Sequence, residues 1–249
     1  MRMPEQNMHI VAIGGLLKGR RSLPLFQYLL NLSSKTRPAV GFIPTASGDA
    51  PRGLRRIGEL FGRLNCRLSH LPLFDRTPDL KEFIAAQDVI LVGGGNTKSM
   101  LAVWREWELP EILQHAWHSG KILAGWSAGA ICWFDQGVTD SFADRLRPLD
   151  CLGFLPGSCC PHYTAEADRR PAYQALLRQA AIRPGLAIDD GAAIHFRGIQ
   201  PWRIVAPPGL IGVRTVRFRR GAIEEVPMPL ERVELKSRST SQDRRTSRK

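Results

Sequence analysis

The stretch Ile122-Leu-Ala-Gly-Trp-Ser127-Ala-Gly129 constrains this chain more than any other. A short apolar run that breaks at Gly125 into small residues reads as a buried strand turning sharply into a helix. Glycines at 125 and 129 make so tight a turn sterically possible. The turn lifts the Ser127 hydroxyl clear of a sheet, where the N-terminus of the next helix and the amide of Ala128 favour developing negative charge. A nucleophilic serine requires that setting. Gly-x-Ser-x-Gly also occurs in unrelated loops, so the rest of the chain decides what the motif means.

A second stretch, Asp88-Val-Ile-Leu-Val92-Gly-Gly-Gly95-Asn96-Thr97, has the same form: an apolar run, glycines, then a helical pattern from Thr97 to Trp107. Two such turns facing each other across one sheet edge would join amides of Gly94 or Gly95 to that of Ala128 in a two-donor oxyanion hole. Asn96 and Thr97, where the helix opens, are candidates to touch substrate. A phosphate cradle is the competing reading, but the Gly-Lys-Ser/Thr ending and a Gly-x-Gly-x-x-Gly are both missing.

Short apolar runs alternate with helical periodicity through the first half, which predicts an α/β fold with a mostly parallel sheet flanked by helices. Expected strands are Met8 to Ile13, Ala39 to Pro44, Arg67 to Leu73, Asp88 to Val92 and Ile122 to Gly125, with a helix from Pro51 to Leu64. After a helix from Pro171 to Ala181, short runs at Leu186 to Ile188, Ala192 to Phe196, Arg203 to Val205, Ile211 to Phe218 and Ala222 to Val226 predict an antiparallel extension near the C-terminus. Residues 1–235 suit one domain. From Lys236 to Lys249 six basic residues and one acid stand in a Ser/Thr-rich segment without apolar periodicity, which predicts a disordered basic tail.

That tail holds part of the net charge of +12, and the remaining surplus is scattered without interleaved aromatics. A solvated basic surface therefore outweighs a dedicated nucleic-acid site. No apolar run approaches the roughly 20 residues that span a bilayer, and no signal-peptide pattern opens the chain, so a cytoplasmic protein with no membrane partner is expected. Five scattered cysteines without Cys-x-x-Cys spacing argue for free thiols, not for disulfides or zinc. No metal or other cofactor is called for, the expected partner is a small peptide substrate, and a homodimer is left open.

A serine nucleophile needs a base and a group that orients it. Of six histidines, His9 and His70 fall in strand patterns and read as structural. His115 and His118 share a helix face with Glu111, which imitates a metal site but suits an amphipathic helix better. His195 alternates within a strand pattern, packed or exposed. His162 differs: it lies in Ser158-Cys-Cys-Pro161-His162-Tyr163, a turn-prone segment of the kind that carries catalytic bases. Cys159 and Cys160 are alternative nucleophiles, though nothing around them forms an elbow. For the acid, Asp190 in Leu186-Ala-Ile-Asp189-Asp190-Gly191 competes with Asp140 in Thr139-Asp140-Ser141. With Asp190 the chain order is Ser, His, acid, whereas α/β-hydrolases run Ser, acid, His.

Taken together, Val92-Gly-Gly-Gly-Asn-Thr97, Gly125-Trp-Ser-Ala-Gly-Ala130, Pro161-His162-Tyr163 and Ile188-Asp-Asp190-Gly191 resemble peptidase family S51, which holds the aspartyl dipeptidases (peptidase E) and the cyanophycinases. The likeness runs from about His9 to Phe196. It implies a class I glutamine amidotransferase-like fold, with a serine where the amidotransferases carry cysteine. It further implies Ser127 as nucleophile, His162 as base, and an oxyanion hole from Gly93-Gly-Gly95 and Ala128. The family acid is usually glutamate, and the matching place here holds the shorter Asp190. Family dipeptidases cut after an N-terminal aspartate held by an arginine, a role that falls to Arg170 in Asp168-Arg-Arg170-Pro171, with Arg169 as its rival. The expected activity is an Asp-x dipeptidase. A cyanophycinase-like hydrolase of β-aspartyl-arginine peptides and a non-catalytic binding module are the alternatives.

Overall fold

The structure, a computed structural model, describes residues 4–235, so the basic segment from Lys236 lies outside the described residues. In chain order the elements are β1 (His9–Ile13), α1 (Leu23–Leu30), β2 (Ala39–Ile43), α2 (Pro51–Phe61), β3 (Arg67–His70), α3 (Leu80–Ala85), β4 (Val89–Val92), α4 (Thr97–Glu106), α5 (Leu109–His118), β5 (Ile122–Trp126) and α6 (Ala128–Ile131). There follow β6 (Phe134–Thr139), β7 (Arg147–Asp150), β8 (Leu155–Cys160), α7 (Arg169–Arg178), β9 (Gly185–Ile188), β10 (Ala193–Arg197), β11 (Gln200–Ala206), β12 (Val213–Arg219), β13 (Ala222–Pro227) and β14 (Glu231–Glu234).

Apolar runs too continuous for a one-sided strand become the parallel centre of an eight-stranded sheet, ordered β14-β11-β10-β1-β5-β4-β2-β3. From β1 to β3 every pairing is parallel, while β10 meets both β1 and β11 antiparallel. Alternate residues face opposite ways, as strand geometry demands. Val11, Ile13, Val40, Phe42 and Leu91 pack under α1 and α2 with Phe26, Leu29, Ile57 and Leu60. Ile10, Ala12, Ile90 and Leu123 point the other way, into a core shared with α4, α5 and the inner side chains of the second sheet, among them Phe134, Leu155 and Ile188. Among the described residues no helix is long and apolar enough to cross a membrane.

The second sheet was only half expected. Its order is β13-β12-β9-β8-β6-β7, with a parallel centre β6-β8-β9 and the predicted antiparallel hairpin β12-β13 at one side. Strands β6, β7 and β8 occupy a region without a strand pattern. The Ser158 to Cys160 segment, expected to be irregular, is the buried end of β8, where Ser158, Cys159 and Cys160 are all shielded from solvent. Pro156 and Gly157 conceal it in the sequence. Gly157 sits at φ 82°, and a Cβ there would lie 2.8 Å from the carbonyl of Pro184. Helix α7 covers the outer face of this sheet through Tyr173 and Leu177, packed on Val138, Ala187 and Val216.

Candidate active site

Adjacent parallel strands β4 and β5 pair Val92 with Gly125, which brings the two glycine turns side by side at their carboxyl ends. The approach is close enough to exclude side chains: a Cβ on Gly125 would lie 2.2 Å from the carbonyl of Gly129, and one on Gly129 2.4 Å from that of Val92. Between them Ser127 takes φ 55°, ψ −116°, a conformation that costs a non-glycine residue about 1–3 kcal/mol and needs a surrounding frame to hold it. Part of that frame is the Ser127 amide, which donates to Ile13 O at 3.2 Å. Trp126, stacked on Phe42 at 5.7 Å, supplies another part.

His162 and Asp190 come from the other sheet. His162 leaves the end of β8 at φ 56°, and Asp190 follows β9, where the chain crosses to β10 of the large sheet. The crossing is tied to the end of β1. Gly15 bridges Asp190, the Gly191 amide donates to Gly15 O at 2.8 Å, and the Gly14 amide donates to Ala192 O at 3.0 Å. Neighbouring Asp189 is buried and accepts from Thr164 Oγ1 (2.9 Å), the Gly212 amide (3.2 Å) and Arg214 Nη1 (2.8 Å), which locks this segment to β12. As a result His162 Nε2 lies 2.9 Å from Ser127 Oγ, and Nδ1 lies 2.7 Å from Asp190 Oδ1. The tautomer that fits has Nδ1–H donating to Asp190 and Nε2 accepting from the hydroxyl. The short carboxylate reaches the ring because Gly15 leaves room: a Cβ there would fall 2.1 Å from Asp190 Oδ1 and 2.6 Å from His162 Cε1.

Opposite the serine, Gly94 is packed so closely that a Cβ on it would come within 3.0 Å of both Ser127 Cβ and Trp126 Nε1. Gly95, at φ 143°, lines the cleft with Asn96, Ser127, Asp140, Ser141, His162, Glu166 and Arg169, around a volume of about 210 Å³. Ala128 opens α6, so its amide has no acceptor within the helix. That helix is a single turn, so its dipole is smaller than the sequence suggested.

Several expected residues stand elsewhere. Thr97 is buried beneath the cleft, its Oγ1 accepting from Thr139 Oγ1 at 3.3 Å, so it is not a substrate contact. Asn96 lines the cleft, but its side-chain Oδ1 caps α4 by accepting from the Ser99 amide at 2.8 Å. Asp140 pairs with Arg169 Nη2 at 3.4 Å, whereas Asp190 takes the histidine. Arg170 lies outside the cleft, held by Glu225 of β13 at 2.8 Å. Glu225 also accepts from Tyr163 and Gln174, and these hydrogen bonds outweigh burial to hold its carboxyl below the usual range. One step along α7, about 100° of rotation, separates Arg170 from Arg169, whose side chain is buried and faces the cleft.

The cysteine alternative fails on the same ground of placement. Cys159 and Cys160 are fully buried, which pushes the Cys159 thiol well above its ordinary range and that of Cys160 up to about 12, so neither supplies thiolate near neutrality. Glu166 was not singled out in the sequence. The turn after His162 closes with the Glu166 amide donating to His162 O at 3.1 Å and places the Glu166 carboxylate between His162 and Arg169.

A sequence profile described as Peptidase family S51 matches residues 10–201. The chain belongs to peptidase family S51. It is 46% identical over 219 residues to an uncharacterized peptidase, YgaJ, of Bacillus subtilis, covering 88% of this chain and 95% of that one. To the Peptidase E of Shewanella amazonensis it is 26% identical, over 70% of this chain and 74% of the relative. A crystal structure of a putative Peptidase E from Listeria monocytogenes superposes with a TM-score of 0.59 at 20% identity, covering 78% of this chain and 96% of that one. A peptidase from an acI-B1 actinobacterium gives 0.65 at 18% identity, covering 88% and 96%. The last two likenesses concern the fold, and the mixed α/β architecture is that of these peptidases.

Proposed function

We propose that this S51 member is a serine-type peptidase that hydrolyses short peptides through an acyl-enzyme on Ser127. The observation that carries the reading is the hydrogen-bond chain from Ser127 Oγ through His162 to Asp190 at the mouth of a cleft. In this mechanism Ser127 Oγ attacks the scissile carbonyl carbon while His162 Nε2 takes the hydroxyl proton, and Asp190 stabilises the imidazolium that forms. The carbonyl oxygen becomes an oxyanion facing the amides of Ala128 and the Gly94-Gly95 turn. Collapse of the tetrahedral species breaks the C–N bond, His162 returns the proton to the leaving amine, and a water activated by His162 then cleaves the ester. A cleft of about 210 Å³ is smaller than the ~300–1,000 Å³ of typical small-molecule sites and suits a dipeptide, in keeping with relatives named Peptidase E.

Recognition of an N-terminal aspartate by Arg170 has no support in this geometry, since that side chain is engaged by Glu225 outside the cleft. The test of the nucleophile is Ser127→Ala assayed on a panel of dipeptides. The expected result is a loss on the order of 10⁶ in kcat with an unchanged melting temperature. Hydrolysis at the wild-type rate by that variant would end the serine reading.

A further inference from the structure

Among the described residues that line the cleft, the one arginine, Arg169, already has its anions. The Arg169 side chain is only 2% exposed. It donates from Nε to Glu166 Oε2 at 2.6 Å and from Nη1 to Val138 O at 3.0 Å, with Nη2 3.4 Å from Asp140 Oδ2. The two carboxylates that balance it face the opening, Glu166 with 47% and Asp140 with 65% of the side chain exposed. Asp190 adds a third carboxylate behind His162. An entering ligand therefore meets acids laid over a buried, paired cation.

A carboxylate on the substrate's first residue would have to displace Asp140 from Arg169 and then lie beside two acids, an arrangement that like-charge repulsion opposes. A cation meets the reverse situation. Each carboxylate accepts several hydrogen bonds, so Glu166 and Asp140 can keep Arg169 and still receive an ammonium or guanidinium.

Resting on the reading of Ser127 as the acylated nucleophile, we propose that this cleft selects short peptides led by a basic residue. Glu166 and Asp140 receive the positive charge of the N-terminal ammonium and first side chain, and disfavour a leading aspartate. Both residues act as specificity determinants and neither takes part in proton transfer.

Two measurements test the assignment. The first is kcat/KM of the wild type on Arg-Leu, Lys-Leu, Ala-Leu and Asp-Leu. Basic-led peptides should exceed Asp-Leu by at least about tenfold, and Asp140→Asn, at an exposed position, should shrink that ratio to about threefold without loss of folding. Glu166→Gln should act in the same direction. The second is calorimetric binding of argininamide and of aspartic acid α-amide to Ser127→Ala, which requires no turnover. Argininamide should bind measurably and the aspartate amide more weakly. Asp-Leu cleaved as well as the basic-led peptides, an aspartate amide bound as tightly as argininamide, no binding of argininamide, or a ratio indifferent to both substitutions would each overturn the proposal. The catalytic reading is judged separately, by labelling of Ser127 with a fluorophosphonate. A labelled enzyme that prefers Asp-Leu loses only the specificity assignment, and an unlabelled protein that binds argininamide loses only the nucleophile.

Discussion

Gly15→Ala is the most searching perturbation, because it adds one methyl group against Asp190 and His162 while leaving the functional groups of Ser127, His162 and Asp190 chemically unaltered. The new Cβ would stand 2.1 Å from Asp190 Oδ1, 2.6 Å from its Cγ and 2.6 Å from His162 Cε1. Real Cβ atoms do not approach other heavy atoms within 3.0 Å, so the carboxylate oxygen has to withdraw by about 0.9 Å. Withdrawn along the 2.7 Å His162–Asp190 hydrogen bond, the oxygen would stand up to about 3.6 Å from the ring nitrogen, beyond hydrogen-bond range. Gly15 is not among the residues with positive φ, so alanine meets no backbone penalty and the damage is confined to the site. Misplacement on this scale costs ~10²-fold, and full loss of the orienting carboxylate ~10⁴-fold, so kcat should fall by 10²–10⁴, or about 3–5 kcal/mol in the barrier. Steady-state kinetics on one dipeptide, with calorimetry to show the fold, measures it. Gly14→Ala is the contrast: its Cβ would strike backbone carbonyls of Asp189 and Ile188 at 2.4 and 2.5 Å, and it should lower stability first. A folded Gly15→Ala enzyme with kcat within about threefold of wild type would refute the reasoning.

The remaining predictions concern the acid and the buried histidine. Asp190→Asn should lower kcat on Ala-Leu by ~10²–10⁴, whereas Asp140→Asn, whose carboxylate contacts Arg169 and not His162, should lose less than about tenfold; the reverse ranking would move the orienting role to Asp140. His195 is fully buried in the large sheet, hydrogen-bonded to His9 Nδ1 at 2.9 Å and Tyr28 OH at 2.6 Å. Burial first, then the charges of His9, Arg197 and Arg203, hold its pKa down to about 3, so the unfolded chain binds a proton that the folded one refuses between the ordinary value of 6.5 and 3. Stability is therefore complete above pH 6.5 and falls as the pH drops through that window, by up to about 1.4 kcal/mol per unit from this group. Denaturant unfolding at pH 7, 6 and 5 should show the slope, and His195→Gln should flatten it; an equal slope in the variant would clear His195 of the effect.

What the sequence disclosed follows from how each element is stabilised. Strands β1, β2, β4 and β5 are buried on both faces, so they stand out as apolar runs, and the glycines at the ends of β1, β4 and β5 exclude side chains by contact. Ser127, His162 and Asp190 were legible as positions because Ser127 and Asp190 follow apolar runs that break and His162 stands in a turn-prone Pro-His-Tyr segment; the structure brings their side chains together. Strands β6 and β8 were not. Phe134-Asp-Gln-Gly-Val-Thr139 and Leu155-Pro-Gly-Ser-Cys-Cys160 mix polar residues, glycine and proline, and are held by pairing partners far along the chain. Arg169 illustrates a signal present but unread. It shares the i, i+4, i+8 stripe of α7 with buried Tyr173 and Leu177, which turns it inward and leaves Arg170 to Glu225. Glu166 carried no such mark, since its place depends on a turn fixed by His162 at positive φ.

The central claim is that Ser127 is the nucleophile, and covalent trapping tests it most directly. Folded protein is treated with a small fluorophosphonate, its intact mass recorded, and the modified residue located by peptide mapping. A single adduct on the peptide carrying Ser127, absent from Ser127→Ala and slowed in Asp190→Asn, is the predicted result. An unmodified protein that still hydrolyses dipeptides, or an adduct on another residue with Ser127 untouched, would contradict the account.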